Sequence, residues 1–133
     1  MHQIIEHTAD IGLIAKADTF AHTLDELAVA MFDLILDIKA VEPKYKIDIS
    51  INYDNIDALV VDFLSELIYQ FDANHFVPCN VKTTLQKTEL KAELTGEKYD
   101  RKKHGSKLEI KAVTYHMLNV DLVNNEIKIL FDI

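Results

Sequence analysis

Hydrophobic and polar positions near the start of the chain change period twice, which predicts a strand, a helix and a second strand. Residues 11–18 alternate between apolar and polar positions, as a half-buried strand does. Thr23 and Glu26 match a capping box, which predicts that a helix begins there and runs to about residue 37. Residues 45–52 alternate again and predict the second strand.

A second helix has the clearest pattern in the sequence. Asp54 or Asn55 can supply its N-cap. Its apolar residues repeat at helical spacing and are Ile56, Leu59, Val60, Phe63, Leu64, Leu67, Ile68 and Phe71. We interpret this stripe as part of the core and not as a cofactor-binding surface.

Strand-like segments dominate the chain beyond Asn74. Strands are predicted for residues 81–86, 88–99, 108–122 and 126–132. Asn124 and Asn125 can form a tight turn between the last two, because asparagine tolerates positive φ. The pattern predicts an α+β fold, with mostly antiparallel sheet or sheets and two amphipathic helices packed on one face. The length of 133 residues predicts a single domain, residues 1–133.

Net charge narrows the functional classes. The formal charge of −8 argues against a domain that binds nucleic acid strongly by itself, because Lys and Arg supply most affinity for a phosphate backbone. A chain this acidic is better suited to binding a hard cation or a basic partner protein than to binding nucleic acid. One basic cluster adjoins acidic residues and is interpreted as a solvated loop; it consists of Lys98, Arg101, Lys102 and Lys103.

Composition excludes several further classes. The chain has three glycines, too few for a glycine-rich phosphate loop. No apolar run approaches the length of a membrane span, and the N-terminus does not resemble a signal peptide. Cys79 is the single cysteine, which excludes an intramolecular disulfide. We therefore expect a cytoplasmic protein with no membrane partner.

Polar residues interrupt apolar or strand-like sequence in two regions. The first is EHTADIG, residues 6–12. Here His7, Thr8 and Asp10 either form a turn between two strands or belong to a functional site that another segment completes. In residues 96–118, Asp100 and His104 flank the basic turn. His116 falls on the same face of the predicted strand as its apolar neighbours. This favours a hydrogen-bonded histidine in the core over a metal ligand. The strand predicted for residues 108–122 is long, and we expect it to bend or to contain a bulge.

The chain ends directly after a predicted strand, in KILFDI. Asp132 lies beside the terminal carboxylate of Ile133. Two close carboxylates repel each other unless a cation sits between them or one takes a proton. Oxygen ligands suit a hard cation such as Ca²⁺ or Mg²⁺. The alternative interpretation is an exposed, solvated chain end.

Motifs along the whole chain resemble the archease family. They are HTADIG at 7–12, FLSELIY at 63–69, GEKYD at 96–100 followed by His104, EIKAVTYHML at 109–118 and FDI at 131–133. Two positions depart from the family pattern. Glu6 stands where the family often has Asp, and Phe63 stands where it often has Trp.

The resemblance implies an accessory factor and not an enzyme. Archeases assist the RtcB-type RNA-splicing ligase of tRNA splicing, promoting GTP-dependent guanylylation of its active-site histidine and multiple turnover. Some members are linked to a tRNA methyltransferase as a chaperone or specificity factor.

The resemblance also implies a metal site formed by Asp10, Asp132 and Ile133. Ca²⁺ is the expected ion, with Mg²⁺ or Mn²⁺ as alternatives. His7 and Thr8 are candidates for orienting Asp10 by hydrogen bonds, or for capping the turn. Candidates for the partner-facing surface or the surroundings of the metal are Asp100, His104, Lys111 and His116.

Two other functional classes stay open at this point. A stand-alone hydrolase could use a mixed nitrogen–oxygen site for Zn²⁺ or Mn²⁺, formed by His7, Asp10, Asp100, His104 and His116. The spacing of these residues matches no diagnostic metalloenzyme motif. The third class is a chaperone-like module for an RNA-modifying enzyme, in which the metal has only a structural role.

Overall fold

A computed structural model describes residues 1–6 and 10–133, and their strands form two antiparallel sheets. The first sheet has the spatial order β1 (His2–Glu6), β2 (Asp10–Lys16), β7 (Glu126–Asp132) and β6 (Ala112–Asp121). The second sheet has the order β3 (Tyr45–Asn52), β5 (Glu89–Lys98) and β4 (Phe76–Leu85). The last strand of the chain thus lies inside the first sheet.

Two long helices pack against both sheets and enclose the core. Helix α1 (Phe20–Ile35) contacts β2, β7 and β4, and helix α2 (Ile56–Asn74) contacts β6, β3 and β4. The short helix α3 (Arg101–His104) and a 3₁₀ turn at Ile38–Ala40 lie between these elements. The α+β class predicted from the sequence is confirmed.

Fully buried apolar side chains from both helices and the sheets form one core. The largest include Phe32, Phe63, Phe131, Leu13 and Leu24. Phe63, where the family often has Trp, has none of its surface exposed, as expected of a core substitution. Across residues 1–6 and 10–133, no helix combines the length and the apolar character that a membrane crossing requires.

Helix α1 begins earlier than the capping-box pattern predicts. Thr19 is the N-cap, and its hydroxyl accepts a hydrogen bond from the His22 backbone N–H at 3.1 Å. Thr23 lies inside the helix, where its hydroxyl donates to the Asn125 carbonyl at 2.6 Å. The predicted start at Thr23 was wrong because that hydroxyl joins the helix to the β6–β7 turn instead of capping it.

Strand β4 also begins earlier than predicted and contains a proline. It starts at Phe76 and includes Pro78, which is tolerated because β4 is an edge strand of the second sheet. The pairing with β5 shifts register at Cys79, between Pro78 and Asn80. Gly96 lies opposite Pro78, and a Cβ atom there would overlap the Val77 carbonyl oxygen. Only glycine fits this close approach of the two strands.

Strand β6 is shorter and more distorted than predicted. It begins at Ala112, and residues 105–111 have no regular secondary structure. Between Thr114 and Asn119 its pairing with β7 shifts register, and Met117 adopts a φ of 56°. The expected bulge is therefore confirmed. It exposes His116, so the prediction of a core histidine was wrong.

Candidate functional site

Two aspartates meet where β2 begins and β7 ends. The antiparallel register of these strands pairs Asp10 directly with Asp132. Directly opposed residues project to the same face, with Cβ atoms about 4.5–5.5 Å apart. Asp10 is half-buried and Asp132 is exposed. Among the described residues, neither carboxylate has an ion-pair partner. Two uncompensated carboxylates side by side favour a cation between them.

Ile133 and Lys111 lie next to this pair of aspartates. Ile133 follows Asp132, is half-buried and packs against the core. The Lys111 backbone N–H donates to the Asp132 carbonyl at 2.8 Å, and the Lys111 side chain is exposed. A main-chain oxygen of Ile133 would complete an all-oxygen donor set, which fits the chemistry of a hard cation.

Among the described residues, Asp100, His104 and His116 do not gather with Asp10 into a group of metal ligands. His7 and Thr8 lie outside the described residues. Within the described part of the chain, no three His, Cys, Asp or Glu side chains come close enough to share a metal ion. The placements of Asp100, His104 and His116 therefore do not favour the mixed nitrogen–oxygen site.

A separate charged cluster surrounds Glu97, which is only 4% exposed. One carboxylate oxygen accepts from the Glu42 backbone N–H at 2.7 Å and lies 2.9 Å from His104 Nε2. The Lys103 ammonium lies 2.9 Å from the same carboxylate, and the Lys44 ammonium lies at 3.4 Å. The cluster thus joins β5 and α3 to the loop that precedes β3.

His104 is buried in this cluster. The residue has 1% of its surface exposed, and its ring stacks on Tyr99, with ring centroids 5.8 Å apart. This corrects the expectation that His104 lies on a partner-facing surface. Asp100 is exposed and caps α3, its carboxylate accepting from the Lys102 N–H at 3.0 Å.

The hydrogen bonds define which His104 nitrogen carries the proton. The Asp100 backbone N–H donates to His104 Nδ1 at 3.0 Å, so Nδ1 is the acceptor. In neutral imidazole the other nitrogen then bears hydrogen, and Nε2–H donates to Glu97. His104 is thus a neutral structural donor to a buried carboxylate.

Glu97 makes the folded state less stable at acid pH. Burial alone raises the pKa of its carboxyl. The Glu42 N–H, Lys103 and His104 outweigh burial and hold this pKa well below the ordinary value of 4.5. A depressed pKa stabilises the folded state above the pKa of the unfolded chain, and this stability is lost as pH falls toward the folded-state pKa.

We therefore expect the wild-type protein to lose more stability than Glu97→Gln when the pH falls from about 6 to about 3. Urea unfolding at each pH measures the free energy in both proteins. Parallel stability–pH curves would mean that Glu97 makes no contribution to the acid sensitivity.

Sequence reasoning missed Glu97 as the centre of this cluster. The motif GEKYD contains it, but its burial depends on Glu42 and Lys44, far away in sequence. The local signal was a carboxylate followed seven positions later by a histidine, at Glu97 and His104.

The fold is that of a small α+β protein in which carboxylates from β2 and β7 meet at one end of a sheet. The model of the archease protein family (MTH1598/TM1083) matches residues 2–133. The chain therefore belongs to the archease family.

Individual relatives agree with this assignment. "Protein archease" of Pyrococcus furiosus is 35% identical over 120 residues, covering 87% of this chain and 84% of that protein. "Protein archease" of Methanosarcina mazei is 33% identical over 125 residues, covering 90% and 86%.

Solved structures share the fold over nearly the full length. The solution structure of Methanobacterium thermoautotrophicum protein 1598 matches with a TM-score of 0.79 and 25% identity, covering 99% of this chain and 98% of that one. The crystal structure of a Thermotoga maritima archease, described as a possible chaperone, has a TM-score of 0.63 at 20% identity and covers 100% and 98%. At 20% identity, the match to the Thermotoga maritima structure shows a shared fold only.

Proposed function

We propose that this protein is an accessory factor of the RtcB-type RNA-splicing ligase. In this role it promotes GTP-dependent guanylylation of the ligase's active-site histidine and allows repeated turnover. Membership of the archease family supports the class of function. The observation that carries the proposal is the direct pairing of Asp10 with Asp132, which places two carboxylates side by side at one end of the first sheet.

The acidic pair is the proposed metal site. Asp10, Asp132 and a main-chain oxygen of Ile133 would hold a divalent ion, with Ca²⁺ expected and Mg²⁺ or Mn²⁺ as alternatives. The ion would supply positive charge with open coordination positions at a surface that faces the ligase. Asp132 is exposed, so groups of a partner can reach it without unfolding of β7.

Neighbouring residues suit recognition of the partner. The backbone N–H of Lys111 is hydrogen-bonded to the Asp132 carbonyl, and the Lys111 side chain is exposed, so an accessible lysine adjoins the site along the chain. We propose that Lys111 contacts an acidic or phosphate group of the ligase–nucleotide complex. His7 and Thr8 stay predicted partners of Asp10.

A chaperone-like role is the second candidate. The description of the Thermotoga maritima archease as a possible chaperone favours it. In this version the protein binds an RNA-modifying enzyme such as a tRNA methyltransferase, and the metal serves stability only. Asp10→Ala and Asp132→Ala would then lose the stabilisation by metal but would still bind the RNA-modifying enzyme.

Ligation under multiple-turnover conditions tests the proposal. The cognate ligase receives GTP, a divalent metal and excess RNA with a 2′,3′-cyclic phosphate end, with and without this protein. We expect the ligase to stop after a single turnover alone and to continue through many turnovers with the protein present. Unchanged turnover would contradict the ligase role and favour tests on tRNA methyltransferases.

A further inference from the structure

A groove of about 540 Å³ lies between β1, β2, α1 and the loop before β6. Its floor is apolar and buried, with Ile11 at 6% and Leu13 at 0% exposure. Ile4 on β1 and Leu34 on α1 form part of its walls, and Ile4 keeps 50% of its surface exposed. The groove is therefore an accessible apolar recess next to a half-exposed isoleucine.

The groove borders the proposed metal site at the end of the first sheet, where Asp10 and Ile133 line it. Its floor at Ile11 and Leu13 lies on the core face of β2, whereas the opposed Asp10 and Asp132 alternate to the other face of the sheet. A protein that contacts the metal site thus lies within reach of the groove, which would add apolar contact area to a largely polar surface.

A carboxylate from α1 adds charge to the groove. Asp33 lines it and is paired with Lys107 at 3.6 Å, with side-chain exposures of 46% and 52%. The Lys107 ammonium also donates to the Asp33 backbone carbonyl at 3.1 Å. An ion pair as accessible as this contributes little to stability, so a second cation can take the Asp33 carboxylate while Lys107 keeps its bond to the carbonyl. Bidentate arginine is the best such cation for a carboxylate.

We propose that this groove receives a segment of the partner protein that carries an aliphatic side chain beside an arginine or lysine. The aliphatic side chain packs against Ile4 and Leu34, and the cation pairs with Asp33. A second copy of this chain fits less well, because two molecules of net charge −8 repel each other. The inference rests on the proposed function, in which the RtcB-type ligase is the partner.

The test compares two equally exposed apolar residues. The dissociation constant of the Ca²⁺-loaded protein for the ligase is measured by calorimetry for the wild type, Ile4→Ser and Leu122→Ser. Leu122 is 54% exposed in the β6–β7 turn and is the matched control. We expect Ile4→Ser to weaken binding about tenfold, as a central apolar contact does, and Leu122→Ser to leave it unchanged.

A charge variant tests the cation independently. Asp33→Asn is expected to weaken binding severalfold and to reduce its dependence on salt, whereas Asp62→Asn, an exposed carboxylate on α2, changes neither. These substitutions at exposed positions are expected to keep the fold, which circular dichroism checks.

The possible outcomes are distinguishable. If the wild type does not bind the ligase, both the proposed function and the groove are overturned. If the wild type binds but Ile4→Ser equals Leu122→Ser, the groove alone is overturned. Sedimentation that shows a wild-type dimer lost in Ile4→Ser would assign the groove to a second copy and overturn the proposed occupant.

Discussion

Asp10→Ala and Asp132→Ala are each expected to abolish the stimulation of ligation while leaving the fold intact. The two carboxylates are opposed across β2 and β7 and are the charged ligands of the proposed site, so removal of either takes away half of the negative charge that would hold the cation. Even groups that only orient a metal ligand change metal affinity about 10–100-fold. Loss of a ligand itself should therefore lower the affinity at least roughly 100-fold. Multiple-turnover ligation measures the functional loss.

Thermal unfolding separates a metal defect from a folding defect. Opposed like charges destabilise a strand pair, so without metal the variants should unfold at the wild-type temperature or slightly above it. Excess Ca²⁺ should raise the melting temperature of the wild type only, because a ligand at about 100 times its Kd adds about 2.7 kcal/mol.

Asp48→Ala is the matched control for both aspartates. Asp48 is an exposed strand carboxylate on β3, in the other sheet. This variant should keep both the stimulation and the Ca²⁺ response. Full stimulation by Asp10→Ala and Asp132→Ala would contradict a metal-centred function.

Glu97→Ala is expected to lower the free energy of unfolding by about 2–4 kcal/mol, since each donor left unsatisfied in a buried site costs about 1–3 kcal/mol. The variant leaves the Glu42 N–H and the His104 Nε2–H without their acceptor, and Lys103 without a buried counter-charge. For a chain of this size we expect a melting temperature lower by roughly 10 °C. Urea and thermal unfolding measure both quantities.

Glu93→Ala controls for the loss of an ordinary ion pair from the same strand. Glu93 lies 3.1 Å from Lys46, but its side chain is 46% exposed. Exposed pairs contribute about 0–1 kcal/mol, so this change should be small. Equal stability of the two variants would show that the buried cluster does not hold α3 and the Glu42 loop to the sheet.

The sequence predicted the elements well where local periodicity determines them. The bounds of β3 and β7 agree with the predicted segments, and Asn55 caps α2 as proposed, accepting from the Ala58 N–H at 3.1 Å. In β3 the alternation, and in α2 the helical stripe, continue through the whole element, so the local pattern determines where the element lies.

The remaining differences arise from contacts between distant segments. The hydroxyl of Thr23 bonds to Asn125, and Glu97 is buried by the loop at Glu42. His116 shares its parity with apolar residues but lies in a bulge, where alternation no longer predicts the face. Local patterns carry no information on such pairings.

The candidate metal site was accessible mainly through the family resemblance. Acidic residues at Asp10 and Asp132 are common in sequences and by themselves predict no pairing. The register of β2 and β7, which opposes them directly, is a property of the folded sheet. The groove beside Ile4 had no signal in the sequence, because its walls come from a strand, a helix and a loop.

The internal position of β7 has a consequence for the order of folding. The second sheet uses only residues 45–98, whereas the first cannot join β2 to β6 until the final strand inserts between them. Pairing across so long a loop has a high entropic cost, so we expect the first sheet to close last, both in refolding and during synthesis. The opposed aspartates would then come together only in a chain that has finished folding, and a partially folded molecule would present no acidic pair to a partner.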